Sequence, residues 1–232
     1  MAAGLRNDRH PRRAEAAGRG KSGKNGRVSE EVQARTRNRW GEGERLRGEI
    51  LAAASRLLSE LDGEDALTIR GVARAVGIAP ASIYQHFSDR AALVSGLTQH
   101  EFGRLRTAME TAASEVPDGD AVGRVRALLH AYCRFAMANP GHYRLMTANG
   151  ASRSAPDVRP RGPMVDVVDL ITAAFSQCAE AGFALRVPAE RAGVIAFVGM
   201  HGRVALFHSQ ARRQSVELVV SFADELLELV FD

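Results

Sequence analysis

The stretch Arg74–Arg90, RAVGIAPASIYQHFSDR, decides how this chain is read. Val72, Ala73 and Val76 form the apolar side of a short helix that Thr68 is placed to cap. Gly77 supplies a sharp turn, and Pro80 suits the first turn of the next helix. Helix, glycine turn, helix is the spacing of a helix-turn-helix, here Ile69 to Ser88. Running the second helix from Pro80 to about Phe87 puts Ala79, Ile83 and Phe87 on one face, against a core. The opposite face carries Ala81, Tyr84 and Gln85, with Ser82 at its edge and His86 on the flank. Small residues let a backbone approach, Gln bonds base edges, and Tyr or His bonds phosphate oxygens, so the face suits a DNA major groove. The helix start at Thr68 offers backbone N–H groups to a phosphate. Arg70 and Arg90 flank the pair of helices and would grip the two sides of the groove. Against this stands a plainer reading, with Tyr84 in a core and His86 as a cap.

Outward from this segment the pattern is helical. Upstream, Leu46, Ile50, Ala54, Leu57, Leu58 and Leu61 make one apolar stripe, ended by Asp62-Gly63. Downstream, Ser88-Asp89 caps a fourth helix carrying Leu93, Leu97, Phe102, Leu105 and Met109, and Pro117-Asp118-Gly119 breaks it. A second helical block begins with Val125, Leu128, Leu129, Tyr132 and Phe135, stops at Asn139-Pro140-Gly141, and continues in a short piece from His142 to Met146. The segment NGASRSAPDVRPRGP, Asn149–Pro163, reads as an exposed, mobile loop. Helices from about Pro163 to Ala181, Pro188 to Ala211, and Ser215 onward close the chain. No alternating run demands a strand, so the fold class is all-α. The expected organisation is a basic tail at 1–40, a three-helix head at 44–104, and a helical block at 118–232.

Charge is unevenly spread. The net charge is +4, yet Met1–Arg27 alone holds eight Lys/Arg against two acids. The rest is therefore slightly acidic. The tail has too few large apolar residues to offset its ordering entropy and reads as disordered, either a solubilising extension or an arm that tracks phosphates. Cys133 and Cys178 form no disulfide framework and point to a reducing cytoplasm, as core thiols rather than a redox pair. No apolar run reaches the length of a membrane span, and the start lacks a signal-peptide core. The seven histidines show no metal-binding spacing, and no phosphate loop or nucleophile elbow occurs. No cofactor, metal or catalytic residue is expected.

The span ALTIRGVARAVGIAPASIYQHFSDRAAL resembles the DNA-binding domain of TetR-family transcriptional regulators. The matching positions are Thr68, Ala73, Gly77, Ile83, Tyr84, Gln85, His86, Phe87, Ser88, Asp89 and Arg90. The likeness runs over about Arg45 to Arg104. It departs from the family at Ala79, where a hydroxyl residue is usual, and at Arg90, where Lys is usual. The resemblance implies DNA contact by Thr68, Arg70, Pro80, Ala81, Ser82, Tyr84, Gln85, His86 and Arg90. More weakly, NPGHYRLMT and FVGMHGRVALF are similar to a C-terminal ligand-binding domain with a Trp-His-Gly signature, of which this chain keeps His201-Gly202 behind Met200.

That likeness implies a ligand cavity bordered by some of Phe102, Met109, Tyr132, Phe135 and Met146, and by some of Phe175, Phe197 and His201, with Cys178 a further candidate. Each is equally readable as core. Helix Pro188–Ala211 is apolar on nearly all sides, with Val194, Val198, His201 and Ala205 on one face and Ile195, Gly202 and Leu206 on another. With the last helix it suits a homodimer interface, Gly199 and Gly202 permitting close contact. The expected function is a repressor that binds a palindromic operator in double-stranded DNA and is released by a small, largely apolar effector. The alternatives are an activator of the same family, an effector-independent architectural protein relying on its tail, and an enzyme or carrier with a vestigial head.

Overall fold

The computed structural model describes residues 42–60, 67–149, 162–209 and 215–232. The basic tail, the Asp62-Gly63 stop and residues 150–161 of the expected loop lie outside these. Among the described residues the chain is helical with no strand, as the periodicity requires, apart from one bridge between Leu185 and Phe231. None of these helices is long and apolar enough to cross a membrane.

Helix α1, Glu42–Glu60, starts about a turn before its apolar stripe. Thr68 caps α2, Ile69–Val76, with its Oγ1 accepting the Gly71 N–H at 3.0 Å. Gly77 ends α2 at φ 81°, a left-handed conformation that glycine adopts without strain, and its N–H closes on the carbonyls of Ala73 and Arg74. Helix α3 is shorter than the sequence pattern suggests. It runs only Pro80–Tyr84, because the N–H groups of His86 and Phe87 both turn back onto the Ile83 carbonyl. That tightened turn swings Phe87 into the core (3% exposed) and leaves Gln85 and His86 beyond the helix. Ala79 does not share the core face expected of it; it precedes the helix as an exposed residue with no side-chain cap.

Asp89 caps α4, Arg90–Ser114, accepting the Ala92 N–H at 2.7 Å. Asp120 does the same for α5, Ala121–Ala138, with Gly123. Then follow α6 (Pro140–Asn149), α7 (Pro163–Glu180), α8 (Ala189–Ser209) and α9 (Val216–Val230), the last capped by Ser215.

Two apolar cores organise these helices. The first joins Ile50, Leu58, Val72, Ile83, Phe87 and Leu97 from α1 to α4 and its flanks, and it also takes in Leu145 from α6. The second lies among α5, α7, α8 and α9, with the C-terminal half of α4 against it. Val194, Ile195, Val198 and Leu206 of α8 and Leu218 and Leu229 of α9 remain exposed. Gly199 is not free for a second subunit as expected. A Cβ there would stand 2.8 Å from Leu226 Cδ1, so this glycine lets α8 and α9 approach within the chain, while Gly202 faces open space. His201 also leaves the outward stripe and turns inward.

Candidate nucleic-acid interface and cavity

The head builds its outer face on two anchors. Ile83 is fully buried, and Phe87 is wedged so closely against α4 that a Cβ on Gly96 would sit 2.7 Å from its Cε1. Arg47 of α1 covers the Phe87 ring with its guanidinium 5.0 Å from the ring centre, a contact that nothing in the local pattern announces. Held this way, Pro80, Ala81, Tyr84 (55% exposed) and Gln85 face solvent together, with Ser82 half-buried beside them. Thr68 and Arg70 are exposed at the start of α2. Two candidates are tied more firmly to the fold than a contact surface requires. Arg90 donates from Nε to the Leu67 carbonyl at 2.9 Å, bracing the start of α4 against the start of α2. His86 has its Nε2 buried without a hydrogen-bond partner among the described residues.

In the second block, six of the eight cavity candidates meet. Phe102, Tyr132, Phe135, Met146, Phe197 and His201 line one cavity, to which Leu105, Tyr143, Thr147, Met164 and Val167 also contribute. Met109 and Phe175 lie elsewhere, fully buried in core packing, as does Cys178. Burial pushes the Cys133 and Cys178 thiols up to about 12 and about 11, so both are unreactive apolar fillers. The centre of a water molecule can occupy only about 10 Å³ between the lining side chains, room for about one water.

Its polar end is a trio. His201 Nδ1 lies 2.9 Å from the Tyr132 hydroxyl and 3.3 Å from that of Tyr143, whose O–H donates to the His201 carbonyl at 3.2 Å. Phe197 stacks on the His201 ring, with centroids 5.5 Å apart. Burial lowers the His201 pKa and raises that of Tyr143 to about 12, so all three side chains are neutral at pH 7. Tyr143 could have been found by sequence, since it lies in the same NPGHYRLMT segment as Met146. Thr147 closes the same segment, whereas Met164 carried no such signal.

A second polar cluster joins the cores. Glu101 of α4 is fully buried and pairs with Arg104 at 2.8 Å. Arg104 also donates to Ser55 Oγ of α1 at 3.0 Å. His142 of α6, 1% exposed, donates from Nε2 to the Ser55 carbonyl at 3.1 Å and stands 3.8 Å from Glu101 Oε2. Burial, outweighing the pull of Glu101, lowers the His142 pKa. Sequence spacing marked none of these four. Among the described residues no group of three or more His, Cys, Asp or Glu could hold a metal.

A helix-turn-helix head continuous with a helical block that encloses a cavity is the architecture of a one-chain regulator. Residues 50–97 match the tetR family of bacterial regulatory proteins, and residues 125–229 match the tetracyclin repressor-like C-terminal domain. The chain belongs to the TetR family. A Rhodococcus sp. RHA1 protein of unknown function is similar over 86% of this chain and all of its own, at 29% identity and TM-score 0.66. The TetR family transcriptional regulator PfmR from Thermus thermophilus shares the fold, at 21% identity and TM-score 0.53 over 77% of this chain and 97% of its own. The nucleoid occlusion factor SlmA of Vibrio campbellii is 29% identical over 105 residues, which are 44% of this chain and 52% of SlmA. The chain spans about half the length of the curated relatives it matches.

Proposed function

We propose that the chain is a DNA-binding transcriptional repressor that acts as a homodimer on a palindromic operator and is released by a small, largely apolar effector. The observation that carries the DNA reading is the Tyr84-Gln85 pair, held outward over small residues by the buried Ile83 and Phe87. One helix-turn-helix reads too few base pairs for a specific site, so two heads are needed. The exposed apolar residues Val194, Val198, Leu206 and Leu218 supply a face for a second copy of the chain, since a soluble monomer rarely leaves such a stripe open.

The effector reading rests on α6. One side of this helix, Tyr143, Met146 and Thr147, lines the cavity. The other lies on the head: His142 bonds Ser55, Leu145 is buried in the head's core, and a Cβ on Gly141 would sit 3.1 Å from the Leu58 carbonyl. An occupant that enlarges the cavity displaces α6 and with it the head, favouring a head spacing that misses the two half-sites. The long helix α4 carries the same shift through Phe102 and Glu101.

Fragments of the host genome selected on the full chain give the operator. Replacing Gln85 by Ala then weakens binding to it by about 1–3 kcal/mol without changing weak binding to unrelated DNA, and replacing Tyr84 as well, which removes a phosphate contact, weakens both. Unchanged operator affinity overturns the DNA-reading assignment. Deleting Met1–Arg27 costs only part of the affinity on this reading; loss of nearly all of it, with its salt dependence, favours an architectural protein that binds through its tail.

A further inference from the structure

Taking the cavity as the effector site proposed above, we infer that its occupant is an uncharged molecule with an apolar body and a carbonyl-type acceptor oxygen, bonded by His201. Among the described residues no Lys, Arg, Asp or Glu lines the cavity. A charge carried into such a site has nothing to pair with and bears the full cost of desolvation. Arg104 lies beside the lining, its guanidinium 5.6 Å from the centre of the Phe135 ring. It is already committed to Glu101 and Ser55.

Counting donors at the polar end specifies the head group. Tyr143 spends its proton on the His201 carbonyl, and Thr147 spends its own on the carbonyls of Tyr143 and Arg144. In the proposed network the Tyr132 proton goes to His201 Nδ1, 2.9 Å away. With Nδ1 accepting, the neutral ring carries its proton on Nε2. That N–H is the one donor of the trio with no partner among the described residues. An acceptor oxygen completes the network, a hydrocarbon leaves it incomplete, and an ammonium group brings a further donor to it. The apolar remainder is met by Phe102, Phe135, Met146 and Met164. The two methionines are unbranched and flexible, so they can move aside to widen the narrow space between them.

Four probes of similar shape test this by calorimetric titration into the full chain: acetophenone, cumene, benzoate and α-methylbenzylammonium. The expected order has acetophenone binding about five-fold more tightly than cumene, the worth of one neutral hydrogen bond. The two ions do not bind at the same concentrations. His201→Phe keeps cumene binding and removes the acetophenone advantage, whereas His201→Gln, which retains an N–H donor, keeps part of it. Circular dichroism establishes that both variants are folded. Benzoate binding as tightly as acetophenone, or an acetophenone preference unchanged in His201→Phe, overturns the ligand class but leaves the cavity as the site. If none of the four binds, the effector-site reading falls and takes this inference with it.

Discussion

The two buried polar clusters meet at adjacent residues, His142 and Tyr143, and are built on opposite principles. Glu101, Arg104, His142 and Ser55 form an ionic knot between α1, α4 and α6. Tyr132, Tyr143 and His201 form a neutral network at the end of the cavity. Removing one partner from a buried ion pair strands a charge, at a cost of up to about 3–5 kcal/mol. Breaking a neutral hydroxyl–imidazole bond costs about 1 kcal/mol. On the proposed function, the cavity wall therefore yields to an occupant while the seam with the head resists. A helix with one face on each passes a displacement on rather than absorbing it.

The contrast can be broken from either side. Arg104→Ala should have the largest effect, leaving the fully buried Glu101 without its cation. Arg104 is partly exposed, so the expected loss is toward the low end, about 2–3 kcal/mol in urea unfolding of the full chain. A loss below about 1 kcal/mol would remove the distinction between knot and network. Tyr132→Phe should cost about 1 kcal/mol or less by the same measurement and leave operator affinity unchanged. The smallest effect is a pH dependence. Burial holds the folded-state pKa of His142 below the ordinary 6.5, so below that pH the unfolded chain binds the proton more readily than the folded one. Its contribution to stability is thus complete above about pH 7.5 and is lost as pH falls through about 6.5 toward the folded value. His130, His201 and His208, also lowered by burial, share in the slope. His142→Gln should make it shallower between about pH 7.5 and 5; an unchanged slope would mean that His142 already carries its proton in the seam.

What the sequence made legible was whatever repeats or caps. The helical stripes, the Thr68 and Asp89 caps and the Gly77 turn were all readable because each is local. Helical projection also separated Tyr84 and Gln85 from Ile83 correctly. It also put Phe87 on the core face, where it lies, although a backbone turn after Tyr84 rather than a continuing helix takes it there; it failed at Ala79, which lies before the helix. The cavity was half legible. Apolar residues of α4, α5, α6 and α8 could be nominated, but whether one lines a void or fills the core, as Met109 and Phe175 do, depends on how helices distant in sequence cross. The ionic knot was not legible at all. Ser55 and His142 are 87 positions apart, and each belongs to an element that makes sense without the other.

Leu145 gives the molecule its indivisibility. A side chain from the cavity-bearing half completes the interior of the helix-turn-helix half, so the head excised after Arg104 would be folded around a gap. This head and body are then not interchangeable cassettes: a chimaera must carry over the residue that plugs the seam along with the helices on either side. The same plug obliges both halves to melt together. Heating should therefore give one transition, and a hybrid assembled without the matching residue should give two.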